Sequence, residues 1–266
     1  RTILVATSGD TGSAVAHGFA GLANLDVVLL YPSGRVSELQ EKQLTTLGGN
    51  VVALEMAGSF DDCQRMGKAA LADAELQAHR PLSSANSINF GRLLPQLFYY
   101  VDAWRRLAQK PGEEIRVAVP SGNFGNVTGA LLARLMGLPL GRLVVGTNAN
   151  DVLPEFLRSG RFDPRPSVQT PASAMDVGNP SNLARLRALL GDDLGRLRDA
   201  FWASTVSTAE ILTTIARLQA ETDYVVDPHG AVGWAALERF RKAHPADGFP
   251  GIFPATAHPA KFAEAV

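Results

Sequence analysis

The sequence predicts an α/β protein made of two domains, each built on an open parallel sheet. Apolar runs of strand length alternate along it with longer amphipathic stretches, and each run ends in Gly, Ser, Thr, Asn or Pro. The runs show little strict polar alternation, as suits parallel strands covered on both faces. A length of 266 residues, at roughly 150 per domain, also gives about two domains or one large α/β unit.

Strands are expected at Thr2–Ala6 (TILVA), 26–31 (DVVLLY), 50–54 (NVVAL), 115–119 (IRVAV), 142–147 (RLVVGT), 224–227 (YVVD) and 251–255 (GIFPA). Helical patterns fill most of the gaps, at 13–22, 37–47, 60–78, 92–108, 127–136, 184–190, 208–219 and 232–243. A break at 80–84 separates three compact strand and helix units from a longer second part, which sets the expected domains at 1–82 and 83–266. The segment 162–182 is rich in Pro, Ser and Gly without a clear period, so a long loop is expected there, with a lid as one use for it.

Composition narrows the function. Hydrophobic residues make up 46% and charged residues 19%, with 25 basic against 26 acidic side chains, a soluble globular profile. A net charge of −1 leaves no basic excess for a phosphate backbone and no polybasic patch for a membrane surface. Cys63 is the single cysteine, which excludes an intrachain disulfide and a multi-thiolate metal site. No apolar run approaches the roughly 20 residues of a membrane span, and a cytoplasmic location is expected. The chain opens on Arg1 rather than Met and enters a strand at once, so a piece of a longer polypeptide is expected.

Two turns share the frame Ser-Gly-[Asp/Asn]-x-Gly: Thr7-Ser8-Gly9-Asp10-Thr11-Gly12 and Ser121-Gly122-Asn123-Phe124-Gly125-Asn126. Each follows an apolar strand and opens a helix, where glycines aim backbone N–H groups at one point and the helix dipole favours an anion. Ser, Thr, Asp and Asn also cap helices everywhere, and one copy alone would be read that way. Two copies at the carboxyl ends of strands in different domains favour ligand binding, because open α/β sheets bind there. Facing cradles would suit a ligand set with a phosphate at one end and a carboxylate at the other. Neither copy is a P-loop or a GxGxxG turn.

Further polar groups end other strands: Gly146 to Asp151, and Pro254 to Phe262 with Pro259 set for a first helical position. Turn-forming and functional readings weigh about evenly for both. The cluster SANSIN at 84–89 precedes Arg92, whose planar fork could bind a phosphate, although as a lone feature it reads more often as a loop and a surface arginine. The histidines at 17, 79, 229, 244 and 258 show no paired metal-ligand spacing, so no metal is expected, and no G-x-S-x-G elbow occurs. His17 reads as structural. His229, in DPHG, follows an expected strand and is as readily a capping residue as a site residue.

The motifs ATSGDTGSAVAHGFAGL, VVLLYPSGRVSELQEKQLTTLGGNV, SANSIN, VPSGNFGN, GTNAND, DPHGAVG and TAHPAKF run through essentially the whole chain in the order and spacing of one family. The sequence resembles the threonine synthases, pyridoxal-phosphate enzymes of fold type II with a tryptophan synthase β-like architecture, and most closely their bacterial and fungal branch. That resemblance implies a lyase of threonine biosynthesis that converts O-phospho-L-homoserine and water into L-threonine and phosphate, with pyridoxal 5'-phosphate as cofactor. It implies that Gly122, Asn123, Phe124, Gly125 and Asn126 form the cup for the cofactor phosphate, in the larger domain. Thr256 would hydrogen-bond the pyridine nitrogen, and Asp10 would lie near the phenolic oxygen, where two negative charges require a shared proton or an altered contact. Thr7, Ser8 and Thr11 would receive the substrate carboxylate in the smaller domain, and Asn86, Ser87 and Arg92 its phosphate.

The family's cofactor-binding lysine belongs to a Phe-Lys-Asp motif upstream of the TSGDTG turn, and no such motif occurs in the chain. Lysines 42, 68, 110, 242 and 261 are not replacements, so no catalytic residue is assigned and the chain alone is expected to be inactive. A small-molecule substrate, no nucleic-acid or membrane partner, and a monomer or homodimer are expected. Two alternatives remain: a threonine dehydratase-like eliminase, against which SANSIN and Arg92 argue, and a non-catalytic binding paralogue.

Overall fold

Four apolar runs, β1 (Thr2–Ala6), β2 (Asp26–Pro32), β3 (Val51–Met56) and β4 (Leu82–Ser84), pair in parallel in the order β3-β2-β1-β4. They belong to a computed structural model that describes every residue of Arg1–Val266 except Ser8 and Ile88. The chain divides into two compact units, Arg1–Asn89 and Phe90–Val266. In the first, α1 (Asp10–Phe19) follows β1, α2 (Glu38–Thr45) follows β2, and α3 (Phe60–Ala72) with α4 (Ala74–His79) follows β3. Alternate strand residues serve two cores: Val5, Val27, Leu29 and Tyr31 pack with Val15 and Leu44, while Leu4, Ala6 and Leu30 pack with Cys63. Both faces are therefore apolar, which is why the strands read as unbroken runs.

Local chemistry sets the helix boundaries. Ser37 starts α2 with a capping box, its hydroxyl accepting from Gln40 N while Gln40 Oε1 accepts from Ser37 N. The helix expected over 60–78 is broken at Asp73, whose carboxylate accepts from Leu76 N at 2.9 Å and so starts α4. Cys63 is fully buried between α3 and the sheet, and burial, with the charge of Asp62 next to it, pushes its thiol up to about 11. The native protein is expected not to react with a maleimide at pH 8 and to react once unfolded; stoichiometric labelling before unfolding would contradict this burial.

The second unit begins with a 3₁₀ turn at Phe90–Arg92 and α5 (Gln96–Leu107). The helix expected from residue 92 starts later because Pro95 disfavours helical backbone at the residue before it. It continues with β5 (Arg116–Pro120), α6 (Gly125–Leu135), β6 (Leu143–Thr147), α7 (Val152–Ser159), α8 (Leu183–Leu189), α9 (Leu194–Ala200), β7 (Phe201–Thr205), α10 (Thr208–Thr222), α11 (Pro228–Ala243) and β8 (Gly251–Ile252). The strands are parallel in the order β7-β6-β5-β8. Residues 115, 117, 119, 143 and 145 face a core shared with α5 to α9, and Ala118 and Val144 pack on α11. Arg116, nearly buried, pairs with Asp247 at 2.6 Å and Glu114 at 2.7 Å at the amino end of β5, leaving its carboxyl end for the site.

Three expectations are corrected in this unit. Residues 224–227 form no strand: Asp227 caps α11, accepting from His229 N and Gly230 N, and Pro228 takes the first helical position. The strand expected over 251–255 shortens to Gly251–Ile252, since Pro254 has no N–H for a ladder. Three elements absent from the sequence reading, α7 and the helix-strand pair α9 and β7, also form. Among the described residues, no helix is long and apolar enough to cross a membrane and no cluster of His, Cys, Asp and Glu could hold a metal ion.

Candidate active site

In the second unit, the turn between β5 and α6 is an open set of donors. Phe124 occupies the N-cap position of α6 in the left-handed region (φ 60°), with no side-chain cap and no acidic residue in the first turn. Its ring is buried in the core, which fixes the turn. Among the described residues, no protein acceptor meets the backbone N–H of Gly122, Phe124, Gly125 or Asn126. Amides without protein acceptors at the positive end of an eleven-residue helix suit a phosphate dianion.

The two Asn side chains of this turn face away from that role. Asn126 Oδ1 accepts from Ser121 Oγ and Val127 N, and its Nδ2 donates to Pro120 O at 2.8 Å. Asn123 Oδ1 accepts from Ser181 N at 2.7 Å and from Ser181 Oγ at 3.0 Å, while Asn182 Nδ2 donates to Asn123 O. Both side chains hold the loop, and the backbone offers the donors.

The segment 162–182 is irregular apart from a 3₁₀ turn at Ser173–Met175, and it is fastened to the end of β6. Asp176 accepts from Thr170 N, Thr170 Oγ1, Asn148 Nδ2 and Asn150 Nδ2 at 2.7 to 3.2 Å. Burial nevertheless pushes its carboxyl up to about 6, the hydrogen bonds pulling the other way. This places the GTNAND motif in the support of a loop. On the other side, Ala174 N donates to His229 Nε2 at 3.2 Å and His229 Nδ1 meets Asp227 Oδ1 at 2.7 Å, which fixes the proton on Nδ1. Sequence reasoning missed Asp176, Ser181 and Asn182, for which no local motif signalled a role.

Thr256 follows β8, the neighbour of β5, so it lies beyond the same sheet edge as the donor turn; it is exposed and, among the described residues, has no hydrogen-bond partner. Arg92, in the opening 3₁₀ turn, is half-buried, and burial lowers the pKa of its guanidinium. Pro259 begins a 3₁₀ turn capped by His258, whose Nδ1 accepts from Ala260 N.

In the first unit, the turn after β1 is held from within. Thr7, fully buried, accepts from Gly9 N at 2.9 Å and Gly12 N at 2.8 Å through its hydroxyl, closing the start of α1. Gly9 has φ 132° and faces the Gln40 amide, which a Cβ there would strike at 2.6 Å. Gln40 Nε2 donates to Asp10 Oδ1 at 3.3 Å, so Gln40, unremarked in the sequence, orients the Asp10 carboxylate. Asp10, Thr11 and Gly12 form the first turn of α1 rather than a preceding loop. Asn86 is buried, and Ser87 is half-buried. Asn86 Oδ1 accepts from Ala6 N at 2.9 Å and its Nδ2 donates to Ala6 O, extending the edge of β1. Ser8, expected to receive a carboxylate, lies outside the described residues.

The sequence profile of the pyridoxal-phosphate dependent enzymes matches residues 1–248. The chain is 46% identical over 265 residues to threonine synthase of Haemophilus influenzae, covering all of this chain and 61% of that protein. The crystal structure of threonine synthase from Escherichia coli superposes with a TM-score of 0.92 at 44% identity, covering 99% of this chain and 60% of that one. A PLP-bound threonine synthase from Brucella melitensis gives 0.85 at 37% identity, with 99% and 61% covered. Maize serine racemase, at 16% identity and a TM-score of 0.69, shares the fold. The chain thus spans about three fifths of the length of its threonine synthase relatives.

Proposed function

Because the chain belongs to the pyridoxal-phosphate dependent enzymes, and has their fold type II architecture, we propose that the native polypeptide is a threonine synthase. It would convert O-phospho-L-homoserine and water into L-threonine and inorganic phosphate. The observation that carries the reading is the set of backbone N–H groups at Gly122, Phe124, Gly125 and Asn126 that meet no acceptor among the described residues, opening α6 within a chain 46% identical to a threonine synthase. A cytoplasmic location, a small-molecule substrate, and action as a monomer or homodimer without nucleic-acid or membrane partners belong to the same proposal.

When bound, pyridoxal 5'-phosphate supplies the electron sink that makes substrate C–H bonds acidic. The residues of this chain hold and orient. The amides of Gly122 to Asn126 neutralise the cofactor phosphate at the positive end of α6. Thr256, a neutral hydroxyl, would hydrogen-bond the ring nitrogen. Asp10, steadied by Gln40, would lie beside the phenolic oxygen. Ser8 and Thr11 take the substrate carboxylate, while Thr7, expected to share that role, is fully buried and instead holds the turn through Gly9 N and Gly12 N; Asn86, Ser87 and Arg92 take the substrate phosphate, with Arg92 contributing charge in a partly desolvated place. No lysine of this chain is assigned as the cofactor-binding amine.

The native polypeptide, given O-phospho-L-homoserine, is expected to form threonine and phosphate in equal amounts. Phosphate without threonine would refute the reaction while keeping the site, and 2-oxobutanoate from threonine would favour the dehydratase reading. Arg92→Ala is expected to weaken phosphohomoserine use much more than cofactor binding; equal loss of both would undo its assignment.

A further inference from the structure

We propose that Asp176 and His229 are positioning residues for the phosphate cup: they clamp Ala174 to Asp176 so that the Met175 backbone seats Gly122 and its neighbours in register. The inference rests on the reading of Gly122 to Asn126 as the cofactor phosphate site.

Three consecutive residues carry the geometry. Ala174 is tied to α11 through His229, and Asp176 is tied to the end of β6 through Thr170, Asn148 and Asn150. Met175 lies between them, and its backbone passes so close to Gly122 that a Cβ on that glycine would lie 2.5 Å from Met175 Cα and 2.8 Å from Met175 O. Downstream, Ser181 and Asn182 bond Asn123. The cup residues 122 and 123 thus rest on the segment 175–182, whose upstream end is set by the two clamps. Amides that must converge on one anion lose their advantage when their support shifts by a fraction of an ångström.

The clamp chemistry is specific. Asp176 meets only donors, so a carboxylate satisfies all of them, whereas an amide at that position would turn an NH₂ toward other N–H groups. His229 accepts from Ala174 N only because Asp227 holds the proton on the opposite ring nitrogen.

The test is a pyridoxal 5'-phosphate titration of the native polypeptide, with the ³¹P resonance of the bound cofactor and the thermal midpoint of the apo protein measured alongside. Asp176→Asn and His229→Leu are each expected to weaken cofactor binding about tenfold and to move the ³¹P resonance. His229→Gln, which keeps an acceptor, is expected to restore most of the affinity. Should the stronger variants fail to fold, Thr170→Val, which removes one hydroxyl, is expected to give a smaller change of the same kind. Affinities within about twofold of the parent overturn the inference. So does a loss that follows the thermal midpoint while the ³¹P resonance of saturated protein stays put, since that marks a merely structural role. Gly125→Asp separates the underlying reading: it sets a carboxylate against the anion and should abolish binding. If Gly125→Asp still binds, the cup reading fails; if it does not bind while Asp176→Asn and His229→Leu bind normally, only the clamp fails.

Discussion

Gly122→Ala in the native polypeptide is expected to lower affinity for pyridoxal 5'-phosphate by about 100-fold. The added carbon would lie 2.5 Å from Met175 Cα, 2.8 Å from its carbonyl oxygen and 2.9 Å from its carbonyl carbon, all backbone atoms. No rotamer change relieves a clash with backbone, so either the turn at 122–126 or the turn at Ser173–Met175 must move. Both turns bear on the same amides: one contains them, the other supports them. The cost is spatial rather than conformational, because Gly122 is not among the glycines with positive φ. Gly248→Ala is the matched control, since nothing lies within 4 Å of a Cβ there and its backbone is ordinary. Titration of both variants by cofactor absorbance checks the expectation. A Gly122→Ala protein that binds like the parent would mean that these amides do not hold the phosphate.

Much of this architecture was legible in the sequence. The runs TILVA, DVVLLY and RLVVGT became buried parallel strands because both of their faces carry apolar side chains, a pattern visible without any partner. The strand Phe201–Thr205 was hidden for the opposite reason. It is half-exposed beyond its first residue and follows α9 directly, with no Gly or Pro to mark the join. YVVD reads as a strand by composition, yet the Asp-Pro that ends it is a helix start, and the cap prevailed.

At the site, sequence located the turns but not the direction of their side chains. Ser, Thr, Asn and Asp serve caps and ligands with the same atoms. Thr7 closes α1, Asn126 folds back on Pro120, and Asn123 carries Ser181, although each sits in a motif that reads as ligand-binding. The contact of Met175 with Gly122 joins segments far apart in sequence, and no local pattern announces it. Close backbone approach is recorded in the sequence only as a glycine, which turns and bulges use as well.

Asn86→Leu is expected to destabilise the first unit by about 2 to 4 kcal/mol, because it removes a two-way bridge and leaves two buried backbone groups without partners. Strand β4 pairs with β1 only at Thr2, Ile3 and Leu4. On that edge, the N–H and C=O of Ala6 are met by Asn86 Oδ1 at 2.9 Å and by Asn86 Nδ2. Leucine has the same branched four-heavy-atom skeleton as asparagine and no polar atom, so the loss is chiefly one of hydrogen bonding. Denaturant unfolding of the native polypeptide, monitored in this unit, measures it. The same side chain is also proposed to meet the substrate phosphate, and the two roles draw on different hydrogens, since an amide NH₂ has two and Ala6 O accepts one. Asn86→Asp weighs them differently: it keeps an acceptor for Ala6 N, gives up the donor to Ala6 O, and sets a carboxylate beside the phosphate. Its use of phosphohomoserine should fall further than its stability. A variant that loses substrate use with Asn86→Leu but unfolds at the parent's denaturant midpoint would leave the phosphate role standing and remove the structural one.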